Sequence, residues 1–202
     1  LMEMQACRTR EFTAFMAPHA QRVFLGSESG DEAWSGENLF RLCTQVERGF
    51  IRVDADEVTY PLHVIPRFEL ERDMVEGRLA VNDLPDAWDA KMREYLSLST
   101  AGNFTDGCLQ DVHWQAGLFG YFPTYSLGAM TAAQLFAAAN EALGDVRGDI
   151  GRGDFSRLLA WLRDNVHGHG RRLGYDALLK AATGSGLDAG YFRRHLEARY
   201  AT

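Results

Sequence analysis

A chain of 202 residues is long enough for one domain, or for one lobe of a larger one, and its 46% hydrophobic and 24% charged content is ordinary for a soluble globular protein. The net charge of −7 speaks against a nucleic-acid partner, which calls for clustered Lys and Arg, and no apolar run approaches the roughly 20 residues of a membrane span. Three widely spaced cysteines, Cys7, Cys43 and Cys108, make a poor disulfide framework and read as free, mostly buried thiols in a reducing cytoplasm.

The pattern along the chain is helical, with no repeat and no low-complexity segment. Residues 1–17 read as the end of a helix with Met4, Cys7, Phe12 and Phe15 among its apolar positions, stopped by Pro18. With Leu1, Met2 and Met16 added, so apolar a chain end is expected to expose a face for a neighbour to cover. Glycines and serines make 25–36 a loop. Leu39, Phe40, Leu42, Cys43 and Val46 predict a helix over 37–49 ended by Gly49. Asp54 or Asp56 is placed to cap the next helix, running to near Glu76. Pro61 and Pro66 predict a kink or restart in it, or a start at Pro61. The best strand candidate, 58–65, carries Pro61 and abuts Pro66, which speaks against a central strand. Asp83 and Pro85 open a helix through Trp88, Met92, Tyr95 and Leu96 to near Ser99. Residues 102–107 form a loop, 123–143 a helix with an alanine-rich core, and 144–153 a break. Asp154 caps a helix over 155–166, residues 167–170 make a flexible loop, and two short helices at 175–183 and 188–200 close the chain.

The loop at 102–107 leads into the densest run of reactive residue types. Gly107-Cys108-Leu109-Gln110-Asp111-Val112-His113-Trp114 continues through Gly120-Tyr121-Phe122-Pro123-Thr124-Tyr125. An amide, a carboxylate, an imidazole, an indole and two phenols stand there beside Gly107, Gly117 and Gly120. Such groups converge where a substrate is oriented. They also build buried hydrogen-bonded networks that only fix a fold, and residue types alone leave both readings open. His167 and His169 form an HxH pair, but with no third ligand nearby and glycines around them they read as a solvated loop.

The run 107–114 resembles the GxxQDxHW motif of the thermostable carboxypeptidase family of zinc metallopeptidases, and Ile51-Arg52-Val53-Asp54-Ala55-Asp56 resembles its IRxxAD motif. The opening Glu3-Met4-Gln5 with Arg8-Thr9-Arg10-Glu11-Phe12 is similar to the helix just after the family's HES(Q/G) motif. Ala181-Ala182-Thr183-Gly184 with Tyr191-Phe192 resembles its C-terminus. Pro66 stands where the family pattern has an aliphatic residue. The resemblance implies an all-α fold, residues 1–202 being a single C-terminal helical lobe of a thermolysin-like, neurolysin-type metallopeptidase. The family's zinc ligands come from HEXXH and the Glu of HES(Q/G). None of His19, His63, His113, His167, His169 and His195 starts an HEXXH. The chain is therefore expected to begin a few residues after the third ligand and to be under half of its parent.

For function, the resemblance implies a parent that releases C-terminal amino acids from peptides with a free C-terminus, as a cytoplasmic homodimer. Zinc, or another divalent metal, belongs to the parent; this chain alone binds none and is expected to be inactive. Arg52, whose planar fork suits a carboxylate, is implied as the anchor of the peptide's C-terminus. The residues alone favour an Arg paired internally with Asp54 or Asp56. His113, with Tyr121 or Tyr125 as a second donor, is implied as the catalytic donor to the oxyanion of the tetrahedral intermediate. Its other reading is a core histidine bonded to Asp111 or a backbone carbonyl. Gln110 and Asp111 complete the substrate-binding set by orienting the histidine and the loop. Trp114 and Phe122 read as core. The rival to the enzyme is a non-catalytic helical module that binds peptides or a partner subunit.

Overall fold

The computed structural model describes residues 1–27 and 30–201, and every regular element among them is helical. The chain forms two compact units, residues 1–45 with 129–202, and residues 46–128.

The first unit opens with a π-helical turn, Met2–Cys7, and helix α1, Arg10–Leu25. Thr9 caps α1 by accepting from the Phe12 amide, and Gly26 closes it in the left-handed conformation. Pro18, expected to end this helix, lies inside it. An internal proline costs one backbone bond and a clash, roughly 3 kcal/mol. Burial of Thr13, Ala17 and Gln21 on both sides of it holds the helix together. Helix α2 covers only Gly36–Cys43, so Gly49 terminates nothing. A Cβ on Gly36 would come within 2.6 Å of Ala14 Cα, so the absence of a side chain lets α2 close onto α1.

The unit continues through α5, Pro123–Leu143, which enters it at Ala129. The break expected at 144–153 contains a short helix, α6, Val146–Gly151, capped by Asp145. Then come α7 (Ser156–Asn165), α8 (Tyr175–Thr183) and α9 (Ala189–Tyr200), each within a residue or so of its expected span. Ala6, Phe136, Ala139, Val146, Ile150, Leu158 and Leu162 form the core. Leu1 and Phe12 pack against it, and Phe12 stacks edge-on to Phe155. The apolar face expected at the chain start is thus largely covered, and of its seven residues only Met2 is exposed.

The second unit pairs α3, Tyr60–Val75, with α4, Leu84–Leu96, around Leu70, Trp88, Met92, Leu96 and Cys108. The span 58–65 is the start of α3 and not a strand. Asp56 shapes that start, its Oδ1 accepting from the amides of Val58 and Thr59, while Pro61 sits in the first turn. Pro66 is buried inside α3. From Ser97 to Phe122 the chain runs without a helix, and this stretch carries the dense run of polar residues. The thiols are not mostly buried as expected: Cys43 is exposed, Cys7 is half-buried and only Cys108 is inside.

Candidate active site

The stretch 107–122 is shaped by two glycines. A Cβ on Gly107 would meet the Asn103 carbonyl oxygen at 2.6 Å, so the close approach of these backbones requires glycine. Gly120 takes φ +75°, and its amide donates to Glu71 of α3. Glu71 also accepts from the Trp114 indole at 2.7 Å. One carboxylate thus fastens the loop at two points, Trp114 and Gly120, just after His113.

The centre of the site is an ion-pair triad. Arg52 donates from Nη2 to Asp111 Oδ1 at 2.7 Å and from Nε to both carboxylate oxygens at 3.1 Å. Arg67 of α3 donates from Nε to Asp111 Oδ2 at 2.7 Å. Arg52 is 5% exposed and Arg67 0%. Burial alone would raise the Asp111 carboxyl; hydrogen bonds from Arg52 and the charge of Arg67 outweigh it and hold it below its ordinary range. Arg52 Nη1 donates to the Tyr60 hydroxyl at 2.7 Å, and its guanidinium lies 4.8 Å from the Tyr125 ring centre. The internal partners expected for Arg52, Asp54 or Asp56, are not its partners: Asp111 is, and Asp56 accepts from the amides of Val58 and Thr59 just ahead of α3.

Gln110 anchors the Arg52 segment through the backbone. Its Oε1 accepts from the Arg52 amide at 2.8 Å, and its Nε2 donates to the carbonyls of Phe50 and Asp106 at 3.0 and 2.6 Å. His113, 8% exposed, shares a 2.8 Å hydrogen bond between its Nε2 and the Tyr125 hydroxyl. Its Nδ1 stands 3.7 Å from Asp111 Oδ1, too far for a hydrogen bond, so Asp111 orients arginines rather than the imidazole. Tyr121 flanks His113 at 5.6 Å between ring centres and is 42% exposed. Burial pushes the Tyr125 phenol up, against the opposing charge of Arg52. Phe122 is core, and Trp114 is half-buried, edge-on to Trp88 at 6.3 Å. All six expected site residues thus fall in one unit, around one triad.

The sequence profile of the carboxypeptidase Taq (M32) metallopeptidases matches residues 1–200. The chain belongs to the M32 carboxypeptidase Taq family. Thermostable carboxypeptidase 1 of Thermus thermophilus is 42% identical over 184 residues, covering 91% of this chain and 35% of that protein. Carboxypeptidase 1 of Bacillus subtilis is 38% identical over 92% of this chain and 37% of its own length. The chain thus spans little more than a third of these relatives. Among solved structures, Trypanosoma cruzi metallocarboxypeptidase 1 is 45% identical with a TM-score of 0.93, over 99% of this chain and 41% of the other. The M32 carboxypeptidase of Deinococcus radiodurans R1 is 44% identical with a TM-score of 0.92, over 98% and 39%.

A metallopeptidase family implies a divalent metal. Among the described residues of this M32 chain, no group of three or more His, Cys, Asp or Glu side chains is placed to hold one. His167 and His169 lie on a 3-10 turn, His167 exposed. No helix among the described residues is long and apolar enough to cross a membrane.

Sequence reasoning passed over four residues of the site: Tyr60, His63, Arg67 and Glu71. The last three recur every fourth position, and that spacing was the available signal, because it puts three ionisable groups on one stripe of a helix. His63 is fully buried, and neither ring nitrogen has a hydrogen-bond partner. Burial first, then the charges of Arg67 and Arg52, push its imidazole down to about 4, so it is neutral near pH 7.

Proposed function

We propose that residues 1–202 act as the C-terminal lobe of a zinc metallocarboxypeptidase that removes C-terminal residues from peptides, with the metal ligands supplied by residues outside this chain. The observation that carries the reading is how Arg52 is held. Asp111 occupies the Nε and Nη2 side of the guanidinium. An arginine offers five N–H donors, so one hydrogen on each Nη remains along the outer edge beside Tyr60. That edge suits a carboxylate bound through two oxygens. The triad of two guanidiniums and one carboxylate carries one net positive charge, which a peptide's C-terminus would neutralise.

His113 and Tyr125 supply the second half of the reading. Joined by one hydrogen bond, they present an imidazole and a phenol on the same side of the triad's loop, with Tyr121 beside them. They serve as donors to the oxyanion that forms when the scissile carbonyl becomes tetrahedral. A cytoplasmic homodimer belongs to the same reading, as inherited from the family.

The test uses the complete gene product and a blocked peptide with a free C-terminus. Arg52→Met should cost on the order of 2–5 kcal/mol in kcat/KM, because it removes a buried charge-assisted contact. His113→Ala should lower kcat by about 10²–10³ with a smaller change in KM. Unchanged kinetics for Arg52→Met would return that residue to a structural role. The 202-residue chain alone, given zinc, should neither retain the metal nor turn over; stoichiometric zinc with turnover would overturn the division of labour.

A further inference from the structure

We propose that Arg67 is a positioning residue for carboxylate recognition: it fixes Asp111, and through Asp111 it aims the outer edge of Arg52 at the ligand. The proposal rests on the reading of Arg52 as the carboxylate anchor.

His63, Arg67 and Glu71 follow one another at four-residue spacing on α3, and all three are buried. At 3.6 residues per turn they form one stripe along the helix. The stripe faces the 107–122 loop in register: Arg67 meets Asp111, and Glu71 meets Trp114 and Gly120. Packing does not require this. Leucine or methionine would fill the same volume without the desolvation cost of an ionised group. That cost is visible at Arg67, whose guanidinium burial pushes down to about 10 against the favourable charge of Asp111.

One arginine already neutralises Asp111, so Arg67 has a different task. Each carboxylate oxygen has its own 2.7 Å contact, Oδ1 with Arg52 Nη2 and Oδ2 with Arg67 Nε. Two grips on two oxygens set the plane of the carboxylate, and with it the plane of the Arg52 guanidinium lying against it. Arg67 itself has no freedom to swing. Its Nη1 donates to the His63 carbonyl at 2.6 Å, and its guanidinium lies 4.6 Å from the Trp88 ring centre. A fully buried side chain touches no substrate, so its influence passes through Asp111. Its charge also leaves the triad in need of an anion.

The experiment compares two ligands on the complete gene product: a non-hydrolysable peptide analogue ending in a free carboxylate, and the same analogue ending in a carboxamide. Arg67→Met should weaken the carboxylate ligand about tenfold or more and leave the carboxamide ligand unchanged, since a contact to a charged group is lost from only one of the complexes. Arg67→Lys, which keeps the charge and loses the fork, should lose less on the carboxylate ligand and nothing on the carboxamide. If both ligands weaken equally, or neither does, the positioning role is overturned. Should Arg67→Met fail to fold by circular dichroism, Arg67→Lys decides on the same criterion. Arg52→Met separates this proposal from the reading beneath it. If Arg52→Met abolishes the preference for carboxylate and the Arg67 variants keep it, the anchor stands and the positioning role falls. If Arg52→Met leaves the preference intact, the anchor reading fails and takes the proposal with it.

Discussion

His63 shows what a single residue costs this unit. Its imidazole is neutral in the folded state down to about pH 4, while in the unfolded chain it takes up a proton near 6.5. The unfolded state therefore binds more protons in that window, and stability must rise with pH across it. Stability that is fully present above pH 6.5 should fall by about 3 kcal/mol as pH drops toward 4, burial first and then the charges of Arg67 and Arg52 resisting protonation. Urea unfolding followed by tryptophan fluorescence at several pH values measures it. His63→Leu should flatten the curve between pH 6.5 and 4; an unaltered slope would assign the loss to other groups. Arg52 and Asp111 were each visible in the sequence, in two separate motifs, yet their pairing was not. The partner of Arg52 lies 59 residues on, whereas Asp54 and Asp56 stand beside it in the chain. Local proximity misleads here because Asp54 ends the 3-10 turn that begins at Arg52 and Asp56 is taken up by the amides just ahead of α3.

Elements were legible where the apolar spacing ran unbroken. Helices α5, α8 and α9 fall where periodicity places them, because no proline interrupts their interiors. Proline misled at Pro18, where burial on both sides outweighs a local cost of roughly 3 kcal/mol and α1 runs on. At Pro61 the reading of a helix start holds, and α3 continues through Pro66. Glycine misled once, since Gly49 follows a helix that has already ended at Cys43. In the polar loop glycine is indispensable for a steric reason, and this is open to test. Gly107→Ala forces its Cβ against the Asn103 carbonyl and should destabilise the protein by about 1–3 kcal/mol. Thermal unfolding checks it. A loss below that range would mean the 103–107 turn relaxes freely, and that its tightness does not hold the polar run in place.

At the scale of the whole molecule, the fold class was legible and the location of exposed apolar surface was not. The start of the chain is folded onto its own core. Large apolar side chains are exposed instead at the end of α1, at Val23 and Phe24, and in the second unit, where Leu109 is 60% and Phe119 56% exposed. Leu109 and Phe119 help line a cavity of about 530 Å³ with Met74, Val75, Leu84 and Trp114. An apolar concavity of this kind is a ready site for a small apolar ligand. An environment-sensitive hydrophobic dye should therefore bind the isolated 202-residue chain. The double substitution Leu109→Gln with Phe119→Ser should remove most of the signal without changing the circular dichroism. Undiminished fluorescence in that variant would place the dye elsewhere.

Gln110 ties two backbone segments, 50–52 and the turn at Asp106, with one amide, accepting at its oxygen and donating twice at its nitrogen. The atoms at its two ends are therefore not interchangeable. Loss of ammonia from that side chain, an ageing reaction, would leave a glutamate of almost the same shape. Its new oxygen would face the carbonyls of Phe50 and Asp106, turning two attractions into repulsions. Arg52 hangs from the same knot. Shelf life of the site would then be set by the hydrolysis of one amide, in material that still looks folded by every bulk measurement.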